Sequence, residues 1–299
     1  MTRTTRLSLA LVLNVILTVG LVVAGRSAHS TGLMADAGHN LTDAAAVLIV
    51  LVAEFLGMRP ATARRSYGLQ RASILAAFVN GVVLLLVTGS IAWLAIARLL
   101  SPHPVHGATI LIAATISAGI NLAVVRLLVE GHEDLSMRSA WLHAVGDVLG
   151  SAVVAISGLV ALLASGPLVE RIDPIASLLV AGLIITEAFR ITRGSVHILL
   201  EGVPADLDLD EVRSTMCEVS GVIEVHDLHV WSLSSASRAL SAHLVIEGDP
   251  MLSAAAKTLA TTRTLLLDRF NIDHATMELE ANSCEGGEHH ERRARRRPE

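Results

Sequence analysis

The chain has 299 residues, of which 52% are hydrophobic, 17% charged and 3% aromatic, and its formal net charge is −5. With a mean hydropathy of +0.59, this composition excludes an ordinary water-soluble globular protein, and the acidic balance gives no reason to expect a nucleic-acid partner. Two cysteines, Cys217 and Cys284, make no disulfide framework.

Apolar runs long enough to cross a bilayer fall at about 7–25, 33–57, 73–100, 107–130, 139–165 and 172–192. They predict six transmembrane helices in a membrane domain covering 1–200. The first run follows Met-Thr-Arg-Thr-Thr-Arg, but its length and its five successors argue for a span and against a cleaved leader. With the N-terminus inside, the cytoplasmic segments hold Arg3, Arg6, Arg59, Arg64, Arg65, Arg71, Arg126, Arg138, Arg190 and Arg193, and the outer segments only Arg26, Arg98 and Arg171. Basic residues favour the cytoplasmic face, so both termini are expected there, in a multi-pass protein of a bacterial plasma (inner) membrane.

Beyond residue 200 the stretch "EGVPADLDLDEV" is acidic, and no later run is long enough to span. Helical and alternating periodicities predict a helix over 207–219, strands over 222–233 and 238–248, a helix over 251–270 and a strand over 273–281. That order suits a small cytoplasmic α+β domain of ferredoxin-like, metallochaperone-like type at 201–282. The remainder, 283–299, contains "EGGEHHERRARRRPE", a His/Arg-rich tail too polar to fold. Cys217 reads as a small core residue of its helix. Cys284 reads as an ordinary residue past the last strand, with metal ligation as the alternative.

Inside the second span, "ADAGHNLTDA" places Asp36, His39 and Asp43 in an apolar environment. A carboxylate near the centre of a spanning helix costs roughly 2.5–3.5 kcal/mol, so such residues face a cavity or the bundle interior. His39 and Asp43 are one helical turn apart and share a face. The same H-x-x-x-D spacing returns in "AWLHAVGDVLGS" as His143 and Asp147. Two imidazoles and two carboxylates converging from two helices supply the four ligands of a tetrahedral divalent ion, and the nitrogen content favours zinc over magnesium or calcium. The bland alternative is polar glue between helices. It explains one pair more readily than two identical ones. With the N-terminus inside, spans two and five run antiparallel, which sets each histidine near the other helix's aspartate. The boundaries put His39 and Asp43 in the outer half of span two and His143 and Asp147 in the inner half of span five, a gap that tilt or helix extension has to close.

Asp36 shares nearly the face of Asp43, either lining an outward exit or making a hydrogen bond or cap within the bundle. Asn14 and Asn121 read as interhelical hydrogen-bond partners, and Asp173, just before Pro174, as an N-cap of span six. Trp93 and Trp141 suit aromatic belts.

Over nearly its whole length the chain resembles the cation diffusion facilitators, specifically their zinc-exporting branch. The resemblance rests on "ADAGHNLTDA", "YGLQRASILAAFVN", "MRSAWLHAVGDVLGS", "DPIASLLVAGLII", "LLEGVP" and "VHDLHVWSLSSASRALSAHL". It implies that His39, Asp43, His143 and Asp147 form the transport site for Zn²⁺, and that the protein is a homodimer. It further implies a second zinc site in the cytoplasmic domain at His226, His243 and Glu280. Strand alternation agrees in part. It sends His226 and His229 to opposite faces, so only one joins His243, and the turn near Ser235 sets His226 opposite it. Departures from the family pattern are Ser73, where many relatives carry glutamate, and a connection from Arg59 to Arg71 without histidines. No His-rich loop precedes span five either, and His132 reads as a plain loop residue.

The expected activity is secondary-active efflux of Zn²⁺, with Cd²⁺ and Co²⁺ as further candidates, in exchange for H⁺ by alternating access. An intramembrane zinc hydrolase would need three protein ligands and an open fourth position, and no H-E-x-x-H motif accompanies the pairs. An uncoupled metal sensor or channel is the other alternative.

Overall fold

The computed structural model describes residues 3–57, 60–129, 135–166, 168–234, 237–248 and 250–281. Contacts divide the chain into two compact units: Met1–Phe55 with Ala76–Arg193, and Leu56–Leu75 with Gly194–Glu299. Six long helices come first: α1 (Arg3–Ala28), α2 (Thr31–Gly57), α3 (Ala72–Leu100), α4 (Gly107–Val129), α5 (Leu135–Leu163) and, after a 3₁₀ turn over Val169–Arg171, α6 (Ile172–Leu199).

Among the described residues α1, α3, α4, α5 and α6 have the length and apolar composition to cross a membrane. The sixth, α2, has 27 residues, about 40 Å of helix, and carries the polar groups of the bundle in its first half. Several helices outrun their apolar runs. α5 begins four residues early, at Leu135, and α6 continues to Leu199. Leu17, Leu21, Leu33, Ile110, Val154 and Ile184 are buried in one core, whereas Ile16, Leu86, Trp93, Ile112 and Leu183 are exposed. An apolar exterior of this kind is stable against lipid and not against water. α4 and α5 touch backbone to backbone, since a Cβ at Gly107 or Gly158 would lie 2.5 Å from Leu162 N or 2.6 Å from Leu111 N. Small residues permit such approach in membranes.

Asp173 does not cap its own helix. α6 has already begun at Ile172, and the carboxylate turns to the N-terminus of α2, whose first N–H groups have no partner within that helix. It accepts from Thr31 N (2.8 Å), Gly32 N (3.4 Å), Ser30 Oγ (2.5 Å) and Thr31 Oγ1 (3.0 Å). A Cβ on Gly32 would sit 2.9 Å from Asp173 Oδ1, so glycine permits the approach. A buried anion at a helix N-terminus also meets the favourable end of the dipole.

The second unit opens with the α2–α3 connection, where Thr62 and Arg65 exchange backbone bonds of 3.0 and 2.9 Å. Gly68 has φ +67°, a left-handed conformation that favours glycine. Then follow α7 (Leu209–Cys217), β1 (Val222–Ser232), β2 (Arg238–Ile246), α8 (Leu252–Phe270) and β3 (His274–Glu280). Each lies within two residues of its sequence-predicted range. The sheet order is β1-β2-β3, with β1–β2 antiparallel and β2–β3 parallel, the crossover being α8. Asp208 caps α7 by accepting from Asp210 N, and Asn271, at φ 54°, ends α8 in the left-handed conformation. Val212 and Met216 of α7 join Leu240 and Leu244 of β2 and Leu266 and Phe270 of α8 in one core, and Cys217 packs at its edge. The other face of the sheet is left for polar groups.

Arg238 fastens the chain before α7 to the start of β2. Its guanidinium donates to Asp206 Oδ2 (2.6 Å) and Phe270 O (2.9 Å). This hydrogen bond holds the Asp206 carboxyl below its usual range. A carboxyl lowered in the folded state stabilises it above the unfolded pKa, about 3.9, and the contribution is lost as pH falls through the folded value.

Two outcomes are expected. Asp173→Ala should cost about 1–2 kcal/mol, read as a lower melting temperature in detergent, whereas Asp173→Asn, which keeps an acceptor oxygen, should cost less. Asp206→Asn should lower the melting temperature slightly at neutral pH, and the difference from wild type should close as the pH falls through the lowered Asp206 pKa.

Candidate metal centres

The H-x-x-x-D pair of α2 meets α5 at the level of Asp147. His39 Nε2 is 2.8 Å from Asp147 Oδ1 and 3.6 Å from Asp43 Oδ2. Ligand atoms of these three residues all lie within 4.8 Å of one another, and their side chains are 10–16% exposed. The depth gap anticipated from hydropathy closes because α5 runs on past the start of α2. Val154 packs at Gly32, and equal lengths of helix separate Gly32 from His39 and Asp147 from Val154. The His143 side chain lies outside the described residues; its position is one turn before Asp147 on α5.

A cavity of about 420 Å³ reaches these groups, lined by Asp36, His39, Asp147, Ile184, Glu187 and Arg190 among others. Glu187 and Arg190 were missed as site residues, although charges inside an apolar helix are a readable signal. Behind the cavity Asp36 ties three helices together. Its carboxylate accepts from Ser117 Oγ of α4 (2.7 Å), Ser151 Oγ of α5 (3.3 Å) and Asn40 Nδ2 (3.1 Å). Asn121 Nδ2 donates to Ser151 Oγ (3.4 Å), the interhelical role expected of it. Ser117 and Ser151 escaped sequence reasoning, yet each is one turn from a flagged residue, Asn121 and Asp147. Asp36 is thus a bundle hydrogen-bond acceptor that also lines the cavity.

In the second unit His226 and His243 face each other across β1 and β2, their rings 5.3 Å apart and tilted at 68°. β3 brings Glu280, whose Oε2 is 3.2 Å from His226 Nε2 and whose Oε1 is 2.8 Å from His243 Nδ1. Their ligand atoms fall within 4.8 Å of one another. Both ring nitrogens of His226 are buried, and the approach of Glu280 to Nε2 is close but not aligned as a hydrogen bond, which leaves lone pairs that a further partner would satisfy. Two imidazoles and a carboxylate, half sheltered by the sheet, fit a zinc ion with a fourth position to spare. Asp227 Oδ2 and Glu278 Oε2 stand 3.8 and 3.6 Å from His243 Nε2.

The expectation that His226 and His229 lie on opposite faces is wrong. Four residues on β1 (His226 to His229) oppose three on β2 (His243 to Ser241), a bulge at Asp227 with φ 49°. A bulge shifts the strand's phase by one residue. His229 therefore shares the face of His226 and sits 3.1 Å from Asp227. Cys284, His132 and the tail lie outside the described residues. Ser73 Oγ donates locally to Gln70 O (3.3 Å).

The family model for the cation efflux transmembrane domain matches residues 7–200, and that for the cation efflux protein cytoplasmic domain matches 204–282. The zinc transporter ZitB of Escherichia coli K12 is 36% identical over 276 residues, 90% of this chain and 85% of that protein. The cadmium, cobalt and zinc/H(+)-K(+) antiporter of Bacillus velezensis is 33% identical over 86% of this chain and 82% of its own length. The metal cation efflux system protein CzcD of Cupriavidus metallidurans is 33% identical over 93% and 87%. A solved structure, the metal-bound C-terminal domain of the CzcD transporter, covers 25% of this chain and 99% of its own at 32% identity, with a TM-score of 0.22. With both family models accounting for nearly all of the sequence, the chain belongs to the cation efflux family, whose members are transporters and not enzymes.

Proposed function

We propose that the protein exports Zn²⁺ from the cytoplasm in exchange for protons, with His39, Asp43, His143 and Asp147 as ligands of the transported ion. The observation that carries this reading is the 2.8 Å separation of His39 Nε2 and Asp147 Oδ1, which holds one hydrogen between nitrogen and oxygen. Zinc takes ligands at about 2.0–2.2 Å and uses the same lone pairs, so its entry displaces the hydrogen between them, and an imidazole protonated on both nitrogens has to give up a proton. A free imidazole titrates at about 6.5, near cytoplasmic pH, which makes the exchange easy in both directions. Zinc enters through the cavity beside Glu187 and Arg190, and the bundle rocks. Protons then displace the ion outward, and the protonated ligands carry the site back. The naming of the Bacillus velezensis relative as a zinc/H(+)-K(+) antiporter supports this assignment. Two nitrogens and two oxygens favour zinc, with cadmium and cobalt as secondary cargo.

The basic residues of the membrane half support a reading with both termini in the cytoplasm and six spans, and the bacterial relatives support the inner membrane as the location. The cytoplasmic domain is read as the homodimer contact. Its residues His226, His243 and Glu280 hold zinc, which when bound crosslinks three strands. The binding free energy then adds to folding.

Asp147→Ala should bring zinc uptake into inverted vesicles to background while the protein still inserts, normalised to inserted protein. Wild-type flux would remove the site. Dissipating the pH gradient should slow wild-type uptake, and zinc addition to the purified protein should release protons. The fragment 201–282 should melt higher with zinc than with a chelator, and His243→Ala should abolish most of that rise.

A further inference from the structure

We propose that the second unit contains a headgroup site for an anionic phospholipid, built where α3 begins and α6 ends. A cavity of about 620 Å³ lies there, lined on one side by Leu75 of the first turn of α3 and Leu199 of the last turn of α6. Both helices are membrane spans, so these residues mark the depth at which acyl chains give way to headgroups. The opposite wall is polar and aromatic: Arg65, Tyr67, Gln70 and Arg71 of the α2–α3 connection, and Trp231 near the end of β1. Tyrosine and tryptophan, apolar with one polar end, suit that boundary.

The charges and hydrogen-bonding groups define the occupant. Arg71 donates one bond to Glu201 Oε1 at 3.0 Å and has four further N–H groups. The Arg65 guanidinium makes no ion pair among the described residues, although its backbone is fixed by the reciprocal bonds to Thr62. Two arginines against one glutamate leave a net positive wall suited to a phosphodiester. Gln70 Oε1 is buried without a hydrogen-bond partner, so the occupant has to bring a donor as well as an anion. A phosphatidylglycerol supplies both, its phosphate to the arginines and its glycerol hydroxyls to Gln70, with acyl chains against Leu75 and Leu199. A phosphatidylcholine presents the same phosphate but adds a quaternary ammonium beside the arginines and has no headgroup donor. The arginine distribution assigns this lipid to the cytoplasmic leaflet.

The test uses the full-length protein, delipidated in detergent, with bound lipid counted by native mass spectrometry and stability followed by thermal unfolding. Short-chain phosphatidylglycerol should bind about tenfold more tightly than phosphatidylcholine of the same chain length and should raise the melting temperature. Arg65→Glu should weaken phosphatidylglycerol binding by about tenfold or more, and Gln70→Leu should weaken it while sparing phosphatidic acid, which has no glycerol headgroup. Arg269→Glu, the same charge change on the exposed side of α8, should leave binding unchanged. Equal affinity for the two lipids, or an equal effect of Arg269→Glu, would mean diffuse attraction and overturn the site. Displacement of the lipid by equimolar inorganic phosphate would overturn it in favour of a small-anion site. Should Arg65→Glu fail to fold, retention of full phosphatidylglycerol affinity by Gln70→Leu refutes the proposal.

Discussion

Within a bilayer a carboxylate has only the protein to answer it, and the helix bundle is arranged around that shortage. Asp173 on α6 satisfies the bare N-terminus of α2. Asp36 on α2 collects hydroxyls from α4 and α5. Asp147 on α5 meets His39. Each contact joins different helices, so the rotation of α2 about its own axis is fixed by three independent acids. That is the rotation a ligand set on α2 needs, because a helix turned by a single residue would swing His39 by about 100° away from α5.

The two centres differ in what assembles them. In the membrane, helix periodicity alone aligns the members of each pair, and packing has only to bring two helices level. In the soluble domain no periodicity unites the group. His226, His243 and Glu280 come from three strands, and their meeting depends on register, on a bulge, and on a parallel pairing that α8 makes possible.

That difference explains what the sequence revealed. Hydropathy and the repeated H-x-x-x-D spacing are local, so six helices and the α2–α5 pairing were legible, as were the soluble elements to within two residues. The partner of Asp173 was not, because a cap supplied from another helix leaves no signature beside the residue it serves. The phase of β1 was misread for a related reason. Alternation assumes an unbroken pleat, and Asp227 breaks it with a left-handed backbone angle that its residue type permits but does not announce. Ser117 and Ser151 were overlooked as ordinary small polar residues; only the convergence of α4, α5 and Asp36 gives them a role.

The parallel pairing of β2 with β3 gives the soluble domain an order of events during synthesis. β1 and β2, which carry His226 and His243, are synthesised first, whereas Glu280 stands at the far end of the last strand and arrives only after the whole of α8. Until then the two imidazoles lack their carboxylate. A chain broken off by a premature stop or clipped before β3 would retain every residue of the membrane bundle, yet its histidine pair would never be closed. The last strand to be made thus supplies the third member of a cluster that earlier strands begin.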